Sequence, residues 1–433
     1  MSLRGHHELP RLLAGLSPGG SPMTLAEHLA IHGPLPAADR GLVDEIGASG
    51  LRGRGGADFP TAVKLHAVAS RRRVSAVVVN AGETEPASAK DKLLITRLPH
   101  LVLDGAVLAA EVCGAREVIV KIGAGMSPDL LGDAIGERTG DPVAIRVVVG
   151  PTGYVAGEES AVIQHLNGGP ALPTFVPPRP YERGYRGRPT LIQNPETLAQ
   201  IALVARFGAS WYRELGTEAD PGSALVTISG AVAAPGVYEL AFGTSMTDLL
   251  AAAGGTTDGL RALLVGGYFG TWVDASRAVN LRLAREDLRS VGCTLGSGVL
   301  IALGESACGL HESARVIDYL AWQSAGQCGP CVFGLRAIAN GVAALAAGTA
   351  SAGERERLLR WTRDVRGRGA CHHPDGAVRF VQSVLDVFDD EIKEHRGGVC
   401  NAVEAGLPVG EMAAPVSAGS GSGSGSGGGR LWS

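Results

Sequence analysis

Between residues 74 and 206 the chain alternates short β-branched runs with longer segments of helical period. Val74 to Val79 is almost wholly apolar, as a strand covered on both faces must be. Pro99 to Val112 has Pro at its first position and Gly114 just past its end, which predicts a helix. Glu117 to Lys121 and Ile145 to Val149 predict further strands, while Gly157 to Leu166 and Glu196 to Arg206 predict further helices. Strand and helix in alternation predict an α/β domain with a central sheet, spanning residues 41–210.

The pattern then shortens. Ala224 to Ser229 and Val237 to Leu240 flank an Ala-Pro-Gly turn at Ala234 to Gly236. A helix follows, capped by Ser245 with Asp248 three positions on, and it ends at Gly254-Gly255. A strand pair, a short helix and further strands predict a small β-grasp module over 223–305. From 311 to 400 the period is helical, with helices predicted at Phe333 to Ala347, Glu354 to Val365 and Ala377 to His395. In the last, Val378, Val381, Leu385, Phe388 and Ile392 share one face. Residues 1–40 form a leader in which Thr24 and Glu27 make a capping box ahead of Leu25, Leu29 and Ile31. The tail, 406–433, contains only Gly and Ser from 419 to 429. That is a flexible-linker composition, and it reads as the trace of a lost partner domain or a cloning remnant.

Charge and cysteine usage narrow the function classes. A net charge of −4 gives no electrostatic footprint for nucleic acid. No apolar run reaches the roughly eighteen residues of a membrane span, and no secretory h-region opens the chain. Seven cysteines without an export signal argue against a disulfide framework. The expected compartment is a reducing cytoplasm, with any membrane association made through partner subunits. Sixty-three glycines are about twice the average share, and those outside the tail fall in loops where backbone can approach a ligand.

The sharpest chemical signal is Ser324-Ala325-Gly326-Gln327-Cys328-Gly329-Pro330-Cys331, whose turn can aim two sulfurs at one centre. A third thiol, Cys371, lies downstream in Gly369 to Pro374. Cys-x-x-Cys is shared by zinc, thiol-redox and iron–sulfur sites. Both thiol segments fall in loops between predicted helices, where rigid ends can hold a cluster. Three Gly-containing stretches fall at the ends of predicted elements. Leu51 to Thr61 is a Gly-rich loop opening a helix, so its N–H groups can converge on an anion, with Arg54 and Lys64 as nearby charges. Asn80 to Pro86 comes directly after a buried strand, where ligand crevices form. Gly150 to Ser160 again joins strand to helix. Singly, each is equally an ordinary turn or acidic surface loop.

Together and in this order these stretches resemble the FMN- and NADH-binding flavoprotein subunit of respiratory complex I and its relatives in NAD-linked hydrogenases and formate dehydrogenases. The family's Gly-Arg-Gly-Gly-Ala-Gly-Phe-Pro-Thr-Gly-x-Lys falls at Gly53 to Lys64, its Asn-Ala-Asp-Glu-x-Glu-Pro-Gly at Asn80 to Ala87, and its Ala-Tyr-x-Cys-Gly-Glu-Glu-Thr-Ala at Gly153 to Ala161. Its Pro-Thr segment ending in Glu-Thr falls at Pro189 to Thr197, and an SLBB β-grasp module and a cysteine-bearing helical domain come after it.

The resemblance implies an α/β FMN-binding domain, a β-grasp module and a helical bundle carrying an iron–sulfur site. It implies flavin contacts from Gly53, Arg54, Gly55, Gly56, Lys64, Asn80, Gln193 and Asn194. Glu83, Glu85, Tyr154, Gly157, Glu158 and Glu159 would line the flavin and NADH cleft, with Glu83 and Glu85 as the catalytic pair. Cys328, Cys331 and Cys371 would hold a 4Fe-4S cluster, or a 3Fe-4S form of it. Electrons from NADH would pass through FMN and the cluster to a ferredoxin or another iron–sulfur subunit.

Four departures bear on this expectation. Asp58 stands where the family has Gly, and a carboxylate there is expected to oppose phosphate unless Arg54 or Lys64 neutralises it. Gly82 replaces an Asp, and Ala156 replaces a Cys. Ala325 replaces the first cluster ligand, which leaves Ser324, His372, Cys308, an exogenous group or nothing as the fourth. Cys113, Cys293 and Cys400 read as small core or incidental residues, and His311 and His373 show no zinc-like spacing. A competing expectation is a non-catalytic scaffold that has lost flavin binding but keeps the cluster or the β-grasp module.

Overall fold

A computed structural model describes residues 8–17, 19–398, 400 and 406–409; the Gly/Ser run at 419–429 and the last four residues lie outside them. The first sheet is built from β1 (Ala76–Ala81), β2 (Glu117–Gly123), β3 (Ala144–Gly150) and β4 (Thr190–Gln193), in the order β3-β2-β1-β4. Every pairing in it is parallel, for example Val78 with Ile119 and with Ile192. Parallel strands need crossovers, and helices supply them. Pro99–Cys113 lies between β1 and β2, and Glu159–Leu166 between β3 and β4. Pro99–Cys113 packs on the helix Pro195–Tyr212 so closely that a Cβ at Gly105 would lie 1.8 Å from the Leu198 carbonyl oxygen. Only glycine permits that approach.

The second sheet comprises β5 (Ser223–Gly230), β6 (Gly236–Ala241), β7 (Ala262–Val265), β8 (Thr271–Asp274) and β9 (Val299–Leu303), ordered β6-β5-β9-β7-β8. Its alternation divides it between two cores, as the two-residue period of a strand requires. Leu263, Val265, Leu300 and Ala302 pack with the helix Met246–Ala252, whose N-cap Ser245 accepts from the Asp248 N–H. Leu264, Val299, Ile301 and Leu303 instead share a core with the C-terminal helices. Trp272 secures this junction: its indole N–H donates to Ser313 Oγ at 3.0 Å and its backbone N–H to Ser383 Oγ at 2.9 Å. The module and the bundle are thus one packed body.

Several elements differ from expectation for local reasons. The helix expected from Gly157 begins at Glu159, because Tyr154–Gly157 forms a 3₁₀ turn and the Glu158 carboxylate caps the helix through Ser160 N and Ala161 N. The helix expected to end at Arg206 continues to Tyr212, interrupted at Gly208 (φ +86°). The helix expected over Ala377 to His395 starts at His373 and breaks at Phe388 into His373–Val387 and Asp389–Arg396. Its five apolar positions are nevertheless all buried. Glu354–Val365 and the Thr24/Glu27 capping box are as predicted. Among the described residues no single helix is long and apolar enough to cross a membrane.

Candidate functional site

In an open parallel sheet, ligands sit beyond the carboxyl ends of the strands where the order reverses. Here the reversal lies between β1 and β4. Asn80 is the penultimate residue of β1, Gln193 ends β4, and Asn194 caps the next helix by accepting from Glu196 N at 3.0 Å. Asn80 Nδ2 donates to Gly157 O at 2.8 Å, while its Oδ1 is buried without a partner, as is Gln193 Nε2. The Gly-rich loop reaches the same place, since a Cβ at Gly55 would lie 3.2 Å from Asn194 Cβ. Gly157 is tight against Thr84, with 2.7 Å from its virtual Cβ to Oγ1.

Most charged groups expected in the cleft are engaged with one another. Lys64 pairs with Glu159. Glu158 caps its own helix. Glu83 accepts from Ser88 Oγ, Asp91 N and Lys92 N at the start of the helix Lys90–Arg97; burial and then Asp91 push its carboxyl upward. Arg54 is buried, its Nη2 donating to Tyr212 Oη at 3.1 Å and Ser223 O at 3.2 Å, with its guanidinium over the Phe242 ring. Beneath it Lys90 Nζ lies 2.8 Å from Asp91 and 2.9 Å from Glu196, and Asn194 Nδ2 donates to Asp91 at 2.5 Å.

Asp58 is neutralised, but by neither Arg54 nor Lys64. Arg52 Nε is 3.0 Å from its carboxylate and Arg285 Nη1 3.8 Å. Its φ of +48° is the left-handed region a glycine would take without strain. These residues border a cavity of about 170 Å³ between the Gly-rich loop and the second sheet.

Gly82 leaves no gap. Lys121 rises from the end of β2 fully buried, and a Cβ at Gly82 would stand 2.3 Å from its Nζ. Gly150 is equally close, 2.4 Å from Cε. The ammonium donates to Ala156 O at 3.5 Å, and burial pulls its pKa down to about 8. Sequence reasoning missed Lys121, although a lysine inside the apolar run of β2 was its signal. It likewise missed the Lys90, Asp91 and Glu196 group under the Gly-rich loop.

Glu85 ties the loop after β1 to the second sheet's module. Its Oε2 accepts from Tyr154 Oη at 2.8 Å and from Tyr268 N at 3.0 Å, and its Oε1 has no partner. Burial raises its pKa to about 7 against the pull of those hydrogen bonds. The Tyr154 ring meets Phe269, Tyr319 and His373. His373 is held neutral by burial, with a pKa lowered to about 4, and its Nε2 donates to Leu320 O at 2.8 Å.

Two residues before His373 is Cys371, the start of the thiol site. Cys328 lies in the loop before a π-helical turn, Pro330–Leu335, that contains Cys331. Such turns gather at functional sites. Burial raises the Cys331 thiol, and Cys328 and Cys371 add to it by proximity. Cys371 is raised by burial too; the His373 N–H bond to it opposes this, and Glu158 reinforces it across the cleft. The thiol site therefore lies within electrostatic reach of the crevice. Two of the expected fourth ligands are elsewhere. The His372 side chain is 99% exposed and turned toward Asp375. Cys308 is turned toward Glu391 and His395. Cys113 and Cys293 are buried core residues, whereas Cys400 is exposed.

Residues 46–203 match the family described as the Nuo51 FMN-binding domain, 225–267 the SLBB domain, and 303–395 the NADH-ubiquinone oxidoreductase-F iron-sulfur binding region. An NADH-quinone oxidoreductase F subunit of Rhizobium meliloti (strain 1021), the one numbered 2, is 30% identical over 372 residues, covering 82% of this chain and 88% of that protein. The chain belongs to the family of NADH-quinone oxidoreductase F subunits. The F subunit of Rickettsia typhi (strain Wilmington) is 32% identical over the same shares. An air-oxidised NAD+-reducing [NiFe]-hydrogenase superposes with a TM-score of 0.80 at 31% identity, over 90% of this chain and 67% of its own. As an F-subunit relative, the chain has the family's role of an NADH-binding electron-transfer module carrying an iron–sulfur site. Asp58 is met by Arg52 and Arg285, and the space beside Gly82 holds the Lys121 ammonium.

Proposed function

We propose that this chain is the electron-input module of an NADH dehydrogenase, taking electrons from NADH through FMN to an iron–sulfur cluster and on to a protein acceptor. The observation that carries the reading is the meeting of two unfinished sites. Asn80 Oδ1 and Gln193 Nε2 are buried without partners at the carboxyl ends of β1 and β4, beside the switch point, and the thiol site is within electrostatic reach through Glu158, which acts on Cys371. Buried polar atoms without partners cost on the order of 1–3 kcal/mol each, which a ligand bearing complementary polar edges would recover. These atoms fit FMN, and the thiols fit a cluster.

In this reading Gly53, Gly55 and Gly56 let backbone close on the flavin, while Asn80, Gln193 and Asn194 orient it. Arg54 acts from beneath, holding the loop through Tyr212 and Ser223. Lys64 with Glu159, and Tyr154 with Gly157 and Glu158, bound the cleft that admits NADH. Bound there, FMN would supply the conversion between a two-electron donor and one-electron transfer, and Cys328, Cys331 and Cys371 would hold the centre next to it. Glu85 titrates near neutrality on a carboxyl whose Oε1 is uncommitted, so it suits the proton exchanged in that conversion. Glu83 acts by fixing the loop that carries Glu85 onto the next helix. Val332 and Phe333, exposed beside Cys331, provide an apolar face for a ferredoxin or another iron–sulfur subunit.

The test is anaerobic purification with flavin, iron and sulfide analysis, and then rapid mixing with NADH. Flavin bleaching with a slower loss of the cluster absorbance is expected. Iron and sulfide with no flavin, even after incubation with FMN, would instead establish the scaffold reading.

A further inference from the structure

The helical bundle contains a second convergence of metal-binding atoms. Cys308 Sγ, His395 Nε2 and the Cys400 sulfur all lie within 4.8 Å of one another. We propose that Cys308, His395 and Cys400 bind a single divalent ion of the zinc type, separate from the thiols Cys328, Cys331 and Cys371.

The spacing is that of one ion. Zn–S near 2.3 Å and Zn–N near 2.0–2.1 Å at a tetrahedral angle put sulfur and nitrogen about 3.6 Å apart. Cys308 Sγ and His395 Nε2 are 3.5 Å apart.

The protons are arranged for a metal as well. His395 Nδ1 is 2.6 Å from the Ala346 carbonyl oxygen, which can only accept. Nδ1 therefore carries the hydrogen and Nε2 presents its lone pair to Cys308. A carbonyl fixing the far nitrogen of an imidazole is the usual outer support of a metal-bound histidine. Cys308 caps the helix Gly309–Trp322, where its sulfur accepts the His311 N–H at 3.2 Å, which fixes the direction in which the sulfur points. Its single hydrogen cannot serve both His395 and Glu391 Oε2, which is 3.3 Å away. The Glu391 oxygens are already committed, Oε1 to Arg261 at 2.7 Å and Oε2 to Leu310 N at 3.0 Å. A water or the exposed His311, whose ring centroid is 5.2 Å from that of His395, can complete four-coordination.

The ion would pin three separate segments: the start of Gly309–Trp322, the end of Asp389–Arg396 and the chain at Cys400. Just beyond, Gly406 N and Leu407 N donate to Glu312 on the same helix. Its role is accordingly that of a staple holding the C-terminal segment on the bundle. Cys400 is exposed, so the ion is reachable by chelator.

Metal analysis of the full-length protein should find one zinc per chain in addition to iron. Cys400→Ser, an exposed change, should weaken zinc binding at least tenfold and leave iron unchanged; Cys371→Ser should lose iron and keep zinc. Chelator-treated protein given Co2+ should develop thiolate-to-cobalt absorption that Cys400→Ser lacks. The proposal is overturned if wild type takes up neither Zn2+ nor Co2+, if zinc survives Cys400→Ser, if zinc and iron vanish together, or if intact mass shows a Cys308–Cys400 disulfide instead.

Discussion

The crevice at the β1/β4 switch point and the thiol turn at Cys331 stand side by side but are prepared differently. In the crevice nearly every charge already has an internal partner: Lys64 has Glu159, Glu158 its own helix, Asp58 two arginines. The thiols have one another and a backbone N–H. A region that satisfies itself can hold its shape before its ligand arrives. A region of clustered, buried thiols gains most of its order from the metal that deprotonates them. The crevice should therefore tolerate single changes, whereas the thiol site should not.

The largest effect is expected at the thiols. Cys331→Ser should abolish iron binding, measured as iron and sulfide per chain, while a folded crevice still takes up FMN. Ala325→Cys acts in the opposite sense, adding a sulfur to the turn and slowing cluster loss in air. Paramagnetic resonance of the oxidised wild type should show a three-iron signal that this variant lacks. An air-stable four-iron cluster in both would point to another fourth ligand, for which Ser324→Ala is the check.

Next come the two buried ionisable groups bordering the crevice. Lys121 has its pKa lowered from 10.5 to about 8, so the folded state binds fewer protons than the unfolded one between those values and stability rises with pH across that window. Below it the buried ammonium costs about 3 kcal/mol. Lys121→Met should be more stable than wild type by about that much at pH 7, the gap narrowing above pH 8. Denaturant titrations at pH 7 and pH 10 measure it, and equal gaps at both would show that the charge is compensated.

Glu85 runs in the other direction. Its pKa is raised from 4.5 to about 7, so the folded state retains the proton longer and stability falls as pH rises between those values. Glu85→Gln should gain on wild type by about 3 kcal/mol at pH 8 and show no gain at pH 4. On the proposed function it should also slow flavin reduction by NADH without lowering flavin content. Loss of flavin alone would assign the residue to FMN retention.

The smallest effect is expected at Asp58. Its charge is met by Arg52 and Arg285, so Asp58→Asn should change FMN affinity less than about threefold, the scale of a half-exposed ion pair. A tenfold gain on titrating apoprotein would show that the carboxylate faces the phosphate after all.

Sequence patterning reached what depends on neighbours along the chain. β1, β2 and β3 and the helix Glu354–Val365 arise from local composition, as do the caps at Thr24 and Ser245. β4 escaped because its four residues, Thr190–Gln193, are too few to show a period. The break at Phe388 escaped because its apolar face continues through the break, so periodicity cannot see it. Pairings across the chain were beyond reach. Nothing local says that Arg285 would answer Asp58, or that Cys308 and His395, eighty-seven positions apart, would meet.

The Lys121 ammonium carries a historical consequence. With Lys121 on its present path, a Cβ at position 82 would stand 2.3 Å from its Nζ and one at 150 would stand 2.4 Å from its Cε, so a side chain at either position requires the lysine to move. The three positions are physically coupled, because a side chain at 82 or 150 requires Lys121 to take another path. Relatives that have diverged in the same way should therefore be recognised by co-occurrence, lysine at 121 together with glycine at 82 and 150. A homologue pairing that lysine with a larger residue at 82 would have to route its ammonium along another path.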